Sequence, residues 1–114
     1  MCVLPCPKLD FQFDEKLEEL APEYKNIIYR TIQEGLTNGI VHGKANRFNI
    51  IIYIKSNKVY ITIEDNGLGC KDIVKRNGLH GVEDRINGIG GDIEYITEVD
   101  SGFKIKVMIP IGVI

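Results

Sequence analysis

The feature that most constrains the fold is a set of four stretches in which apolar and polar residues alternate. They are residues 47–54, 58–65, 92–99 and 103–109. In the last stretch the odd-numbered residues from Phe103 to Ile109 are apolar, while Lys104 and Lys106 alternate with them. Such strands place their apolar side chains on one face of a sheet and their polar side chains on the other. The pattern therefore predicts two layers, with the helices packed on a single side of the sheet.

The other elements complete an order of strand, helix, hairpin, loop, helix and hairpin. We predict a strand at 8–13, a helix from 22 to about 42, a turn at 56–57, a loop over 70–81 that could include one helical turn, a helix carrying apolar residues at 82, 86 and 89, and a turn at 100–102. Pro22 suits the first position of a helix, and Gly90-Gly91 suit the end of one. We expect Gly81 to precede the second helix, whose free N–H groups could receive phosphate oxygens.

Composition limits the classes of protein that fit. The chain has 114 residues, of which 44% are hydrophobic, as expected for one globular domain. A net charge of −2 argues against a protein that binds duplex nucleic acid. No apolar run approaches the length of a membrane span, and the opening stretch "MCVLPCPK" is too short to be a signal peptide. The cysteines, at 2, 6 and 70, lack zinc-site spacing and are expected to be reduced thiols.

Asp65 is an unusual residue for its position. It has the same parity as the apolar residues of its strand, so the strand aims a carboxylate at the core. A hairpin turn is one interpretation, because Asp-Asn-Gly is strong turn chemistry. However, residues 68–81 show no returning alternation and are punctuated by glycine. A loop with glycines at both ends lets the backbone approach a ligand closely, which is the competing interpretation.

The first predicted helix carries a second polar group. Glu34, Asn38 and His42 are four residues apart, so they share one stripe of the helix. A carboxylate and an amide one turn apart can hold water and a hard cation such as Mg²⁺. The alternative is a solvated helix edge. Gly35 and Gly39 weigh against it, because each costs about 1 kcal/mol relative to alanine inside a helix and so indicates a close approach.

These stretches together resemble the nucleotide-binding boxes of the GHKL ATPases. "QEGLTNGIVHGKA" (33–45) resembles the N box, "EDNGLG" (64–69) the first glycine box, "NGLHGVEDRINGIGG" (77–91) the second and "SGFKIKVMIP" (101–110) the terminal box. The second glycine box is most similar to that of sensor histidine kinases with a short ATP lid, the nitrate- and desaturase-sensor type. The resemblance implies an α+β fold of the Bergerat type, a two-layer α/β sandwich with a mixed, mostly antiparallel sheet and helices on one face.

The resemblance also implies roles for individual residues. Asp65 would hydrogen-bond the exocyclic amine of adenine, Asn38 would bind Mg²⁺, and Glu34 would be a catalytic or water-positioning residue. The expected ATP-binding residues are Asn38, His42, Asp65, Gly67, Gly69, Lys75, Gly78, Leu79, His80 and Gly81. For Lys75 and its neighbour Arg76, a solvated loop is an equally good interpretation.

Two positions depart from the pattern of the family. Relatives of this type commonly carry lysine just before the N-box histidine, where this chain has Val41. They also commonly carry threonine after the glycine of the terminal box, where this chain has Phe103. The first change concerns a phosphate contact, for which Lys44 is a weaker candidate, and the second a polar contact near adenine.

The resemblance further implies a division of labour between domains. We expect residues 1–8 to be the remnant of a linker and residues 9–114 to be the ATP-binding domain. The phosphoacceptor would be a histidine on an upstream dimerisation domain, because His42 and His80 both lie inside nucleotide boxes. The fragment alone would then be inactive as an autokinase.

A response regulator would act downstream of such a kinase. The domain would be cytoplasmic, without nucleic-acid or membrane contact, although the full-length kinase could be membrane-anchored. Two other functions remain open at this point. One is a serine kinase of the anti-sigma-factor type, and the other is a nucleotide-sensing interaction module without kinase activity.

Overall fold

The structure is a computed structural model that describes residues 8–42, 44–67, 79–97 and 102–111. Its strands are β1 (Lys8–Phe13), β2 (Arg47–Lys55), β3 (Lys58–Asp65), β4 (Asp92–Thr97) and β5 (Phe103–Pro110). Its α-helices are α1 (Pro22–Thr37) and α2 (Leu79–Gly88). A short 3₁₀ helix at Glu15–Glu19 connects β1 to α1, and a π-helical turn at Asn38–His42 follows α1.

The five strands form one mixed sheet in the order β1-β2-β3-β5-β4. β1 pairs with β2 in parallel, and the other three pairings are antiparallel. The sheet is therefore mixed and mostly antiparallel, which confirms the predicted fold class. All four alternating stretches are strands, although β4 ends at Thr97, and residues 98–101 lie outside the described part of the chain.

The two faces of the sheet differ as the alternation predicts. In β5 buried apolar residues such as Phe103 alternate with Lys104, which is partly exposed, and Lys106, which is exposed. The buried side chains of β2, β3 and β5 pack with Ile28 of α1 and Val82 and Ile86 of α2 in one core. Both helices therefore cover the same face. Within the described residues no helix is both long enough and apolar enough to cross a membrane.

The hairpin between β2 and β3 turns where the sequence predicts. Ser56 and Asn57 both have positive φ angles, of 52° and 60°, and they are flanked by the paired residues Lys55 and Lys58. Two central residues of positive φ define a type I′ turn, whose twist matches that of an antiparallel pair. This turn fixes the register that carries Asp65 to the far end of β3.

The second helix begins earlier than predicted. Leu79, His80 and Gly81, the last three residues of the expected loop, belong to α2. The prediction that Gly81 precedes the helix is therefore wrong. Leu79, Val82 and Ile86 are spaced i, i+3 and i+7, so residue 79 already follows the apolar helix period. Gly81 nevertheless remains in the first turn, where backbone N–H groups lack intrahelical partners.

The end of α2 confirms the predicted glycine stop. Gly90 has a φ of +78°, which glycine adopts without steric cost. The Gly91 N–H donates to the Ile86 carbonyl at 2.8 Å, and the Gly90 N–H donates to the Asn87 carbonyl at 3.1 Å. These two bonds form a Schellman motif, which satisfies carbonyls at the helix end and turns the chain directly into β4.

Candidate functional site

The π-helical turn after α1 is the first element of the site. The Asn38 N–H bonds to the carbonyls of both Glu34 and Gly35, and helical geometry then changes from α to π over Asn38–His42. Short π segments occur frequently at functional sites. The α-helix that was predicted to reach about residue 42 therefore ends at Thr37, and a π-helical turn follows it. The side chains of Val41 and His42 lie outside the described part.

Asp65 points into the protein, as its parity predicts. It is the last residue of β3 and is 8% exposed. Its Oδ1 accepts a hydrogen bond from the Gly67 N–H at 2.8 Å, a local turn in which the side chain replaces a backbone acceptor. Gly67 is itself buried. A buried carboxylate must be hydrogen-bonded or paired, so this end of β3 is a polar point in an otherwise apolar layer.

Gly35 and Gly39, the two glycines of the N box, bring the helix backbone close to the sheet. Their unfavourable helix propensity indicates such a close approach. A β-carbon added at Gly35 would be 2.8 Å from Ile63 Cδ1 on β3. One added at Gly39 would be 2.5 Å from Phe48 Cε1 and 2.8 Å from Asp65 Oδ2. Both glycines therefore bring the helix onto the sheet, and Gly39 also brings the π-helical turn against the Asp65 carboxylate.

Asn38 is inside the protein rather than on a solvated helix edge. Only 2% of the residue is exposed, so the solvated-edge alternative is wrong for this position. It is the first residue of the π-helical turn, one residue before the glycine that contacts Asp65. The Asn38 amide therefore lies between α1 and the end of β3, close to the Asp65 carboxylate's side of the π-helical turn.

Glu34 lies one turn earlier and forms an ion pair with α2. Its Oε1 is 3.0 Å from Nη1 of Arg85, which donates a hydrogen bond to it. Its Oε2 is buried and has no hydrogen-bond partner among the described residues. A β-carbon at Gly81 would lie 3.6 and 3.8 Å from the two carboxylate oxygens. The carboxylate of Glu34 therefore faces the first turn of α2, and Glu34, Arg85 and Gly81 come together.

Asn66 joins the end of β3 to the start of β2. Its Oδ1 accepts hydrogen bonds from the backbone N–H groups of Asn46 and Arg47 at 3.1 and 3.0 Å. Its Nδ2 donates to Asn46 Oδ1 at 2.7 Å. These exposed hydrogen bonds hold Asn66 in one orientation. They therefore also fix the end of β3 that carries the Asp65 carboxylate.

Phe103 is directly opposite Asp65 in the pairing of β3 with β5. It is 3% exposed, and its ring centroid is 5.9 Å from that of Tyr95. Phe103 therefore fills the position with an apolar side chain that belongs to the core. The departure from threonine places a hydrophobic wall, and no hydroxyl, beside the Asp65 strand end.

A cleft of about 540 Å³ opens at this end of the sheet. Its lining includes Arg47, Asp65, Phe103 and Lys104. Glu34 and Asn38 are not among the residues that line it. The cleft therefore extends from Asp65 toward the open face of the sheet, while the polar residues of α1 lie on the helix side.

The described residues fit Mg²⁺ as an ion shared with a ligand. Among them, no group of three or more histidine, cysteine, aspartate or glutamate side chains could hold a metal. Mg²⁺ is usually held by one or two protein oxygens together with water and substrate phosphates. The Asn38 amide oxygen and Glu34 Oε2, which has no hydrogen-bond partner among the described residues, are hard oxygen ligands of the kind this arrangement needs.

Several predicted site residues fall outside the described part of the chain. These are Gly69, Lys75 and Gly78, together with the side chains of His42, Leu79 and His80. Lys44 is described: it is exposed and has a φ of 54°. The nucleotide contacts predicted for all of these residues stay predictions.

Sequence reasoning missed Arg85 as a member of this group. The expected cations were Lys44, Lys75 and Arg76, and none of them lies on α2. The available signal was spacing, since Arg85 lies four residues after Gly81 and therefore one helical turn along the same face.

The chain is similar in sequence to known proteins. The chain is 32% identical to the sensor histidine kinase LiaS of Bacillus subtilis (strain 168) over 106 residues, which cover 90% of this chain and 29% of LiaS. It is 32% identical to the sensor histidine kinase YxjM of the same organism over 94 residues, covering 82% of this chain and 23% of YxjM. The chain thus spans less than a third of either relative. No protein-family model matches it.

A solved structure gives the same result for the fold. The histidine kinase domain of the blue-light activated histidine kinase from Erythrobacter litoralis EL346 superposes with a TM-score of 0.76 at 19% identity. The match covers 93% of this chain and 52% of that one. The sequence relatives show that the chain belongs to the sensor histidine kinase family, of whose members it matches a part, and the solved structure shows that it has the fold of a histidine kinase domain.

Proposed function

We propose that this chain binds Mg-ATP and transfers its γ-phosphoryl group to a histidine on a separate dimerisation domain. The observation that carries the proposal is the buried Asp65 carboxylate, set at the end of β3 against Gly39 of the N box. The similarity to LiaS and YxjM, which are sensor histidine kinases by name, supports it. A response regulator then receives the phosphoryl group from the dimerisation domain.

Asp65 recognises the base in this proposal. Its carboxylate accepts a hydrogen bond from the exocyclic amine of adenine, while Gly67 and Gly69 leave room for the ring. A hydrogen bond to a charged group contributes about 1.5–3 kcal/mol. Guanine presents a carbonyl at the same position, so it would face the carboxylate without a donor. Adenine selectivity follows directly from the burial of this one acid.

Asn38 and Glu34 act at the triphosphate. The Asn38 amide oxygen holds Mg²⁺, which neutralises phosphate charge when it is bound. Glu34 orients water between its carboxylate and the phosphates. The backbone of Gly78, Leu79 and Gly81 lines the lid side, where the free N–H groups at the start of α2 suit phosphate oxygens. His42, His80 and Lys75 complete the proposed nucleotide site.

The transfer step conserves atoms and charge. A lone pair on the acceptor imidazole nitrogen forms an N–P bond while the bond from the γ-phosphorus to the bridging oxygen breaks. The bridging oxygen keeps the electron pair and leaves as part of ADP, and the imidazole proton passes to solvent. Because this chain forms no covalent bond with the phosphoryl group, it contributes positioning and electrostatic stabilisation.

The test supplies the acceptor that the proposal requires. The chain is incubated with Mg²⁺, γ-labelled ATP and a purified histidine-kinase dimerisation domain. We expect acid-labile phosphate on the dimerisation domain and none on the chain itself. Acid-labile label on the chain alone would contradict the division between donor and acceptor domains. Acid-stable label on a serine of a partner protein would favour the anti-sigma-factor type instead.

Two variants separate chemistry from binding. Glu34→Ala and Asn38→Ala should slow transfer much more than they weaken adenosine binding, because neither residue is proposed to touch the base. Gln33→Ala is the matched control, since Gln33 is an exposed neighbour on the same helix. Normal transfer by both site variants would remove these residues from the mechanism.

A further inference from the structure

The Glu34–Arg85 ion pair connects two helices that are far apart in the sequence. The residues are 51 positions apart, and the Nη1–Oε1 distance is 3.0 Å. The Arg85 side chain is 34% exposed and that of Glu34 is 23% exposed, so the pair is partly shielded from water. Only one carboxylate oxygen takes part in this contact. The other is buried and lacks a hydrogen-bond partner among the described residues.

This asymmetry has a physical consequence. A glutamate side chain has three rotatable bonds, and ordering it costs conformational entropy. A guanidinium is a rigid planar donor that fixes the direction of a carboxylate which it binds. With Oε1 engaged by Arg85, Oε2 is the oxygen left to accept a hydrogen bond from outside the described residues. The arginine therefore selects which oxygen is engaged and where the other one faces.

The position of Arg85 also places Glu34 against the first turn of α2. Arg85 Nη2 and both Glu34 oxygens lie between 3.6 and 3.8 Å from the place of a β-carbon on Gly81. Gly81 is the third residue of α2, which begins at Leu79. A displacement of α2 would therefore reach the Glu34 carboxylate through its ion pair with Arg85.

We propose that Arg85 is a positioning residue for phosphoryl transfer, which holds Glu34 Oε1 so that Oε2 stays directed at water beside the triphosphate. The inference rests on the proposed function and adds to it a residue of α2 that acts through Glu34 without touching ATP. It also explains a partly shielded arginine opposite the N box. A direct phosphate contact by Arg85 is the competing role, which the test below separates.

The experiment compares six proteins in the same transfer assay with a supplied dimerisation domain. They are the wild type, Arg85→Met, Arg85→Lys, Glu34→Gln, the Arg85→Met/Glu34→Gln double variant and the control Arg30→Met. Arg30 is an exposed arginine on α1 and forms none of the ion pairs found among the described residues. For each protein, kcat and KM for ATP, the Kd for ADP and the thermal unfolding midpoint are measured.

We expect Arg85→Met to lower kcat by roughly 10- to 100-fold, the scale for a misplaced catalytic group. KM for ATP and Kd for ADP should change less than about twofold, since Arg85 does not touch nucleotide. Arg85→Lys should recover part of the rate because it keeps the charge but loses the planar fork. In the Glu34→Gln background, Arg85→Met should cause no further loss, because Arg85 acts through Glu34.

Other outcomes would overturn the inference. Equal losses from Arg85→Met with and without the Glu34 carboxylate would show that Arg85 acts independently of it. A KM or Kd that rises as much as kcat falls would show a direct contact with ATP. A loss no larger than that of Arg30→Met would leave Arg85 without a role in transfer.

Failure of the proposed function gives a different result. A wild type that binds no ADP and transfers no phosphate would refute nucleotide chemistry, and with it the positioning role. The unfolding midpoints are read separately: non-additive effects of Arg85→Met and Glu34→Gln support the ion pair itself, and additive effects refute it.

Discussion

Gly39 lies directly against Asp65, so that a β-carbon on the glycine would be 2.8 Å from Oδ2 of the carboxylate. Real β-carbons are not found so close to an oxygen, and Phe48 would be closer still, at 2.5 Å. The backbone of the π-helical turn is therefore the wall behind the proposed adenine acceptor. Helix packing and base recognition depend on the same small residue.

Gly39→Ala should destabilise the protein and disturb the site together. We expect the free energy of unfolding to fall by about 1–3 kcal/mol, the usual cost of overpacking a filled core. The Kd for ATP should rise as well, because Phe48 and Asp65 must move to admit the methyl group. Urea unfolding and calorimetric titration measure the two effects.

Gly88→Ala is the matched control for this substitution. Gly88 is also helical, but nothing lies within 4 Å of an added β-carbon. Its stability should be unchanged or raised by up to about 1 kcal/mol, from helix propensity alone. A Gly39→Ala protein as stable as Gly88→Ala would contradict the close packing at the π-helical turn.

Asp65→Asn should weaken ATP binding by on the order of 1.5–3 kcal/mol, because the hydrogen bond to the adenine amine loses its charged acceptor. The wild type should also bind ATP well ahead of GTP. Glu64→Gln is the control, since Glu64 is the adjacent acid on the open face, 3.2 Å from Lys104. Equal calorimetric affinities of the wild type for ATP and GTP would remove Asp65 from base recognition.

The faces of the sheet and the two hairpin pairings, β2 with β3 and β4 with β5, were predictable from the sequence, and the other two strand pairings were not. Alternation fixes which side chains share a face, and Ser56-Asn57 between two such stretches fixes a hairpin. Nothing in residues 8–13 indicates that β1 pairs in parallel with β2. Nothing in β3 indicates that its second neighbour is β5, because an apolar face accepts many partners of the same period.

The site could be predicted only as far as local spacing reaches. The inward direction of Asp65 follows from parity, and the burial of Asn38 fits the glycines beside it. The Glu34–Arg85 pair depends instead on how α2 packs on α1, and any of several cations could have satisfied one carboxylate. The change from α to π geometry at Asn38 also leaves no periodic signal, because it alters a single turn.

Val41 gives a prediction about phosphate affinity. If the lysine that relatives commonly carry at this position is missing without replacement, adding a β-phosphate to AMP should gain little affinity. Val41→Lys should then tighten ADP by roughly 1 kcal/mol, more at low salt than at high salt, because the new contact is charge-assisted. AMP and adenosine should be almost unaffected, as titrations at two ionic strengths would show.

Two results would redirect this assignment. A large gain from AMP to ADP in the wild type that Lys44→Ala abolishes would assign the phosphate contact to Lys44. An equal effect of Val41→Lys on adenosine and ADP would mean that residue 41 belongs to the core.

Tyr95 should make stability depend on pH in the alkaline range. Burial, with a smaller contribution from the nearby Glu83 carboxylate, raises the pKa of the Tyr95 hydroxyl above its ordinary value. As pH rises above about 10, the unfolded chain loses this proton while the folded protein retains it. The free energy of unfolding therefore falls in this range, by less than about 1.4 kcal/mol per pH unit.

Tyr95→Phe should remove the contribution of this hydroxyl to the fall in the free energy of unfolding between pH 9 and 11. Urea unfolding at several pH values measures that fall. Tyr29→Phe is the control, because Tyr29 is 64% exposed. Parallel stability curves for the wild type and Tyr95→Phe would show that burial of this hydroxyl has no effect on the alkaline limb.

The parallel pairing of β1 with β2 has a consequence for the order of folding. Lys8 pairs with Arg47, whereas the β2–β3 hairpin closes through two residues. Closing the longer chain costs more entropy, and all six residues of β1 remain exposed after it pairs. β1 should therefore join the sheet after the hairpins have formed and should exchange its amide hydrogens faster than β3. Opening of β1 would leave the Asp65 end of β3 paired with β2 and β5, so the proposed nucleotide site should stay folded while this edge strand is detached.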